Sequence, residues 1–125
     1  MDNLTIEKTK STPAVFFDAG SGVLQMEGES YPENVVKFYA PLLDWLREYL
    51  SGEPEEVIME FKISYFNSST SKVFITMFDL LEQYVEEGKK ARVRWICDEE
   101  NDVAIECGEE FKEDLESLSF EIEVC

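Results

Sequence analysis

Residues 57–65 alternate. Val57, Met59, Phe61, Ile63 and Tyr65 share one side of an extended chain, and Glu60, Lys62 and Ser64 share the other, with Ile58 the exception. Successive side chains of a strand point to opposite faces, so this segment buries one face and shows charge on the other. The pattern returns twice. Val93, Trp95 and Cys97 alternate with Arg92 and Arg94, and Phe120, Ile122 and Val124 alternate with Glu121 and Glu123. Strands covered by helices on both faces read as unbroken apolar runs. One-faced strands therefore predict helices on a single face of the sheet. The open face then carries Glu60, Lys62, Arg92, Arg94, Glu121 and Glu123.

Helical spacing fills the intervals. Val35, Phe38, Tyr39, Leu42, Leu46 and Tyr49 recur on one helical face. Ser30 with Glu33 reads as a capping box, with Pro32 in the first turn. Pro41 removes the N–H that would bond to the Lys37 carbonyl, which predicts a kink or break near residues 39–41 and a helix resuming to about Leu50. Residues 70–87 form the clearest helix, with Val73, Met77, Leu80, Leu81 and Tyr84 as its stripe, Phe74 and Phe78 beside it, and Gly88 as its cap. Asn101 to about Leu115 has a thinner stripe of Val103, Ala104, Cys107 and Phe111, and Gly108 lowers its propensity. Near the N-terminus, residues 14–18 and 23–27 flank Ala19-Gly20-Ser21-Gly22 and predict a hairpin. Residues 1–12 are polar and expected to be extended or frayed. The order ββαβαβαβ predicts one two-layer α/β domain over residues 1–125, with a mixed sheet of about five strands and helices on one face.

The charge narrows the partners. The chain has a net charge of -17, and between Asp98 and Glu123 its single base is Lys112. Nucleic acid needs a basic surface, so it is excluded as a main ligand, and an anionic membrane is disfavoured for the same reason. The acidic run also serves simply as a solvated face. There is no His, so the commonest general base and transition-metal ligand is missing. No carboxylate pair sits in a setting that would separate two pKa values. Asp98-Glu99-Glu100-Asn101-Asp102 lacks the glycine and closing glutamate of a calcium loop. The residues therefore predict no enzyme, no cofactor and no metal. Cys97, Cys107 and Cys125 lack metal-type spacing. With no apolar leader and no membrane-length apolar run, they predict a reducing, cytoplasmic setting with no membrane insertion.

One stretch stands apart. Tyr65-Phe66-Asn67-Ser68-Ser69-Thr70-Ser71-Lys72 joins the clearest strand to the clearest helix. Hydroxyl residues here sit where free N–H groups and the helix dipole accept an anion, and a hydroxyl can itself carry phosphate. The same residues also suit a plain helix cap.

Several segments resemble the SiaC family of regulatory phosphoproteins. They are Ser11-Thr12-Pro13-Ala14, Met26-Glu27-Gly28-Glu29-Ser30-Tyr31-Pro32-Glu33-Asn34, Asp44-Trp45, Tyr65-Phe66-Asn67-Ser68-Ser69, Asp79-Leu80-Leu81-Glu82, Arg94-Trp95 and Glu109-Glu110-Phe111-Lys112-Glu113-Asp114. They run from about residue 4 to the C-terminus. The family resembles in fold the anti-sigma-factor antagonists of the STAS type. The resemblance implies a partner switch in biofilm control. A serine/threonine kinase phosphorylates the protein, a PP2C-type phosphatase reverses this, and the unphosphorylated form activates a diguanylate cyclase and raises cyclic di-GMP. An anti-sigma-factor antagonist would use the same local chemistry on a different partner. By motif the acceptor is Ser68, where the family carries Thr, with Ser69 and Thr70 as rivals. Asn67, Ser68, Ser69 and Lys72 are the implied partner-binding residues.

Overall fold

The structure, a computed structural model, describes residues 1–125. A six-stranded sheet carries three helices. The strands are β1 (Leu4–Ile6), β2 (Ala14–Phe17), β3 (Val23–Ser30), β4 (Glu56–Phe66), β5 (Lys90–Cys97) and β6 (Ser119–Val124). The helices are α1 (Val35–Ser51), α2 (Ser68–Glu86) and α3 (Asp102–Glu113). The strands lie in chain order across the sheet. The first three are antiparallel neighbours, and the last three add in parallel. Each parallel step crosses over through one helix. Right-handed crossovers that always step in the same direction put every helix on the same face.

That face is the core. Val57, Met59, Phe61 and Ile63 of β4 and Val93, Trp95 and Cys97 of β5 are buried beneath the helices, as their alternation requires. The other face is open and bears a cross-strand network. Gln25 Nε2 donates to Glu60 at 2.8 Å, Arg94 bonds both Glu60 and Glu123 (Nη2 to Glu123 at 2.8 Å), and Arg92 approaches Glu121 at 3.5 Å.

Several expectations need correction. The sheet has six strands rather than about five, because Leu4–Ile6 pairs antiparallel with Val15–Phe17. Three residues carry too little pattern to announce a strand, and the partner's ladder supplies what they lack. Helix α1 is not broken: it runs continuously through Pro41. Pro41 and Lys37 both lie on the solvent face, so water can take the carbonyl that the ring leaves unpaired. The cap of α1 is Asn34, whose side chain accepts the Lys37 N–H at 3.1 Å, and not Ser30. In α3, Val103 is 70% exposed, and the buried residues are Ala104, Gly108 and Phe111. In α2, Phe74 and Phe78 lie in the centre of the stripe, while Val73 and Leu80 are half-buried at its margin.

Gly88 closes α2 as expected. Its N–H bonds the Val85 carbonyl at 2.9 Å and the Lys89 N–H bonds the Tyr84 carbonyl at 3.3 Å, the Schellman pair. Toward that end, the Glu82 carboxylate accepts the N–H groups of Glu116 (3.3 Å), Ser117 and Leu118 (3.1 Å), pinning the loop between α3 and β6 to α2.

Candidate functional site

The site is built by a slip in register. Between β3 and β4, Gly28 lies opposite Ile63, but Glu29 lies opposite Tyr65, so Ser64 is an extra residue. A bulge of this kind reverses the facing of the residues beyond it. Tyr65, which the alternation placed inward, turns to solvent and is 52% exposed. There it meets the ring of Tyr31 edge-on, with centroids 5.7 Å apart. Phe66 turns inward against Phe74 (5.4 Å) and Trp95 (5.7 Å).

Two residues distant in sequence hold the bulge. Gly28 has φ 131, a conformation closed to ordinary side chains, and a Cβ there would lie 2.9 Å from Lys8 Cδ. Asn101 donates from Nδ2 to the Ser64 carbonyl at 2.9 Å, while its Oδ1 accepts the Ala104 N–H at 3.2 Å. One side chain thus caps α3 and holds the bulge.

Helix α2 starts immediately after. Asn67 Oδ1 accepts the Thr70 N–H at 2.9 Å, and the Asn67 carbonyl accepts the Ser71 N–H at 3.0 Å. Asn34, Asn67 and Asn101 cap the three helices in the same way. Each of these helices follows the C-terminal end of a parallel strand, so the three caps lie at one end of the sheet. An asparagine cap is worth about 1 kcal/mol. Ser68 and Ser69 occupy the first two helical positions and are exposed, and Lys72 is exposed one turn on. Their place at the helix start leaves the N–H groups of Ser68 and Ser69 without an intrahelical acceptor.

Thr70 differs. It is fully buried, and its hydroxyl lies 2.9 Å from Ser30 Oγ and 3.1 Å from the Ser30 carbonyl. Ser30 Oγ in turn lies 2.6 Å from the Tyr39 hydroxyl. Burial pushes the Tyr39 phenol up to about 12, so it keeps its proton. Ser30 and Tyr39 were not marked as site residues from sequence. The parity of Leu24, Met26 and Ser30 carries the signal, since it extends the alternation of β3 inward past Glu27.

The structure brings Asn67, Ser68, Ser69 and Lys72 together at one helix start, the first as cap and the other three at the surface. No group of three or more His, Cys, Asp or Glu side chains could hold a metal ion. No helix is long and apolar enough to cross a membrane.

The model of the SiaC family of regulatory phosphoproteins matches residues 6–125. The chain belongs to this family. An uncharacterised protein of Pseudomonas aeruginosa (strain UCBPP-PA14) is 35% identical over 123 residues, covering 98% of this chain and 97% of that protein. The solved structure of SiaC of Pseudomonas aeruginosa superposes with a TM-score of 0.93 at 33% identity, with all of both chains covered. A chain of the crystal structure of diguanylate cyclase SiaD in complex with its activator SiaC, from the same species, gives 0.93 at 34% identity over 98% of this chain and 99% of that one. Apo-SiaC gives 0.86 at 31% identity, over 99% and 98%. The SiaC fold is therefore the fold described above.

Proposed function

We propose that this chain is a phosphorylation-switched binding protein that activates a diguanylate cyclase in its unphosphorylated form, and that Ser68 accepts the phosphate. The reading has two supports. One is the likeness to SiaC, which activates SiaD. The other, which carries the site, is the contrast in the first turn of α2: Ser68 is exposed, while Thr70 is buried with its hydroxyl already bonded. A kinase reaches the first and not the second. Ser69 is exposed as well, and remains the rival.

Phosphate adds roughly -1.5 to -2 charges. On a chain of net charge -17 the effect on the global field is small, so the switch acts locally. The free N–H groups and dipole at the helix start tolerate the new charge, and the fold survives it. A partner that covers Ser68 must instead desolvate a dianion or leave room for it, and either weakens binding. A dedicated kinase and a PP2C-type phosphatase set the two forms. The protein itself performs no chemistry and acts through its partner. The alternative target, a sigma-factor system, rests on likeness of fold alone, which does not specify a partner.

The test mixes the purified chain with the diguanylate cyclase that co-purifies with it and measures cyclic di-GMP. Unmodified protein and Ser68→Ala should both activate, and Ser68→Asp should activate less. Protein phosphorylated by its kinase, with the phosphate located by mass spectrometry, is the decisive species. Phosphate on Ser69 passes the acceptor role to the rival, and phosphate found away from both residues, or full activation by the phosphorylated form, sinks the switch at this turn.

A further inference from the structure

The hydroxyls beneath the acceptor form a chain with one direction. A carbonyl only accepts, so the contact of Thr70 Oγ1 with the Ser30 carbonyl uses the single Thr70 proton. The contact between Ser30 and Thr70 must then use the Ser30 proton, and the contact between Tyr39 and Ser30 the Tyr39 proton. The order is Tyr39 to Ser30 to Thr70 to the Ser30 carbonyl. That carbonyl also accepts the Asn67 N–H at 3.1 Å, so both its lone pairs are used. Ser30, Tyr39 and Thr70 all have 0% relative exposure. No water competes, and each lost member leaves a buried polar group unmatched.

The chain ties three elements at one point: the last residue of β3, the second turn of α1 and the first turn of α2. Apolar packing would hold these elements together but would not set the rotation of the α2 start to the accuracy of a hydrogen bond. We propose that Ser30, Tyr39 and Thr70 are positioning residues that fix the turn bearing Ser68, so that its hydroxyl is presented in one orientation to the kinase. Thr70 serves as an anchor and does not take the phosphate. The inference rests on Ser68 as acceptor for its functional half, and on the hydroxyl chain alone for its structural half.

The experiment compares Thr70→Val, which keeps the shape and removes the hydroxyl, with Thr70→Ser, which restores it, and with Tyr39→Phe. Amide hydrogen exchange is read residue by residue. In Thr70→Val the amides of Thr70 and Ser71 should exchange about tenfold faster, while those of Met77–Leu81 stay as in wild type, and Thr70→Ser should recover protection. Tyr39→Phe should show the same local effect, smaller. A residue that merely stabilises the fold would move all α2 amides together. With the kinase, Thr70→Val should lose about tenfold in kcat with KM within about twofold, and Thr70→Ser should regain it. Unchanged exchange at Thr70 and Ser71, or an equal rise along the whole helix, overturns the anchor. Local loosening with an unchanged kcat overturns its role toward the kinase. If wild-type protein takes no phosphate at Ser68, the acceptor assignment and the kinase half fall together, and the exchange pattern still decides the anchor.

Discussion

Gly108 of α3 lies directly against the indole of Trp95: a Cβ at this position would stand 2.5 Å from Trp95 Cδ1 and 2.8 Å from Nε1. Trp95 is 1% exposed and donates from Nε1 to the Ala104 carbonyl at 2.9 Å, so the ring has neither room nor freedom to retreat. The glycine that lowers helix propensity in the sequence is the condition for α3 to reach the sheet.

Gly108→Ala sets two effects against each other. Alanine favours the helix by about 1 kcal/mol. Forcing a methyl group into a rigid core contact costs about 1–3 kcal/mol. The clash wins, because backbone and ring would both have to move. A net loss of up to about 2 kcal/mol is expected in urea denaturation. A stabilised variant would show that the contact yields.

Pro41→Ala should act in the opposite direction. Proline in a helix interior is about 3 kcal/mol less favourable than alanine. Its stiffening of the unfolded chain returns up to about 1 kcal/mol of that. Since Lys37 and Pro41 are exposed residues and water can serve the freed carbonyl, the gain shrinks further, to about 1–2 kcal/mol. Chemical denaturation measures it. Equal stability would mean that solvent fully replaces the missing bond.

Glu82→Ala removes the acceptor shared by three N–H groups of residues 116–118. Glu116 and Ser117 are exposed, so water can serve two of these groups, whereas Leu118 is buried. A loss of about 1–3 kcal/mol is expected, because the acceptor is a carboxylate. Proteolysis of this loop should accelerate in parallel. A variant with wild-type stability and unchanged cleavage would show that Glu82 does not hold the loop.

The Arg94 guanidinium holds Glu123 below the usual carboxylate range. A carboxylate whose pKa falls on folding contributes stability that is present above its ordinary value, here 4.5, and lost as pH drops through the lowered value. Arg94→Met removes the main cause of that depression and leaves only the weaker pull of Arg92. Wild type should therefore lose stability more steeply than the variant between about pH 5 and about pH 2. Thermal midpoints across this range test it, and parallel curves would remove the ion pair from the acid response.

The alternation of β4, β5 and β6 is a local property, and it was enough to place every helix on one side and Glu60, Arg92, Arg94, Glu121 and Glu123 on the other. The periodicity of α2 and its start beside Asn67 were legible for the same reason: propensity, capping and period act within a few residues. The place of the α2 start could thus be read from the chain alone, and its proposed role as the acceptor turn comes from the resemblance to the family.

What the turn does with its hydroxyls could not be read there. Ser68, Ser69 and Thr70 are adjacent and chemically alike, and only the packing of α2 against Ser30 and Tyr39 separates exposed hydroxyls from a buried one. Tyr65 and Phe66 exchange faces because Ser64 is extra, and that bulge depends on Gly28 and Asn101, both remote from it in sequence. Strand parity is written in neighbouring residues, so sequence determined it. Register, burial and the direction of a hydrogen-bond chain are agreements between distant segments, so only the tertiary structure could decide them.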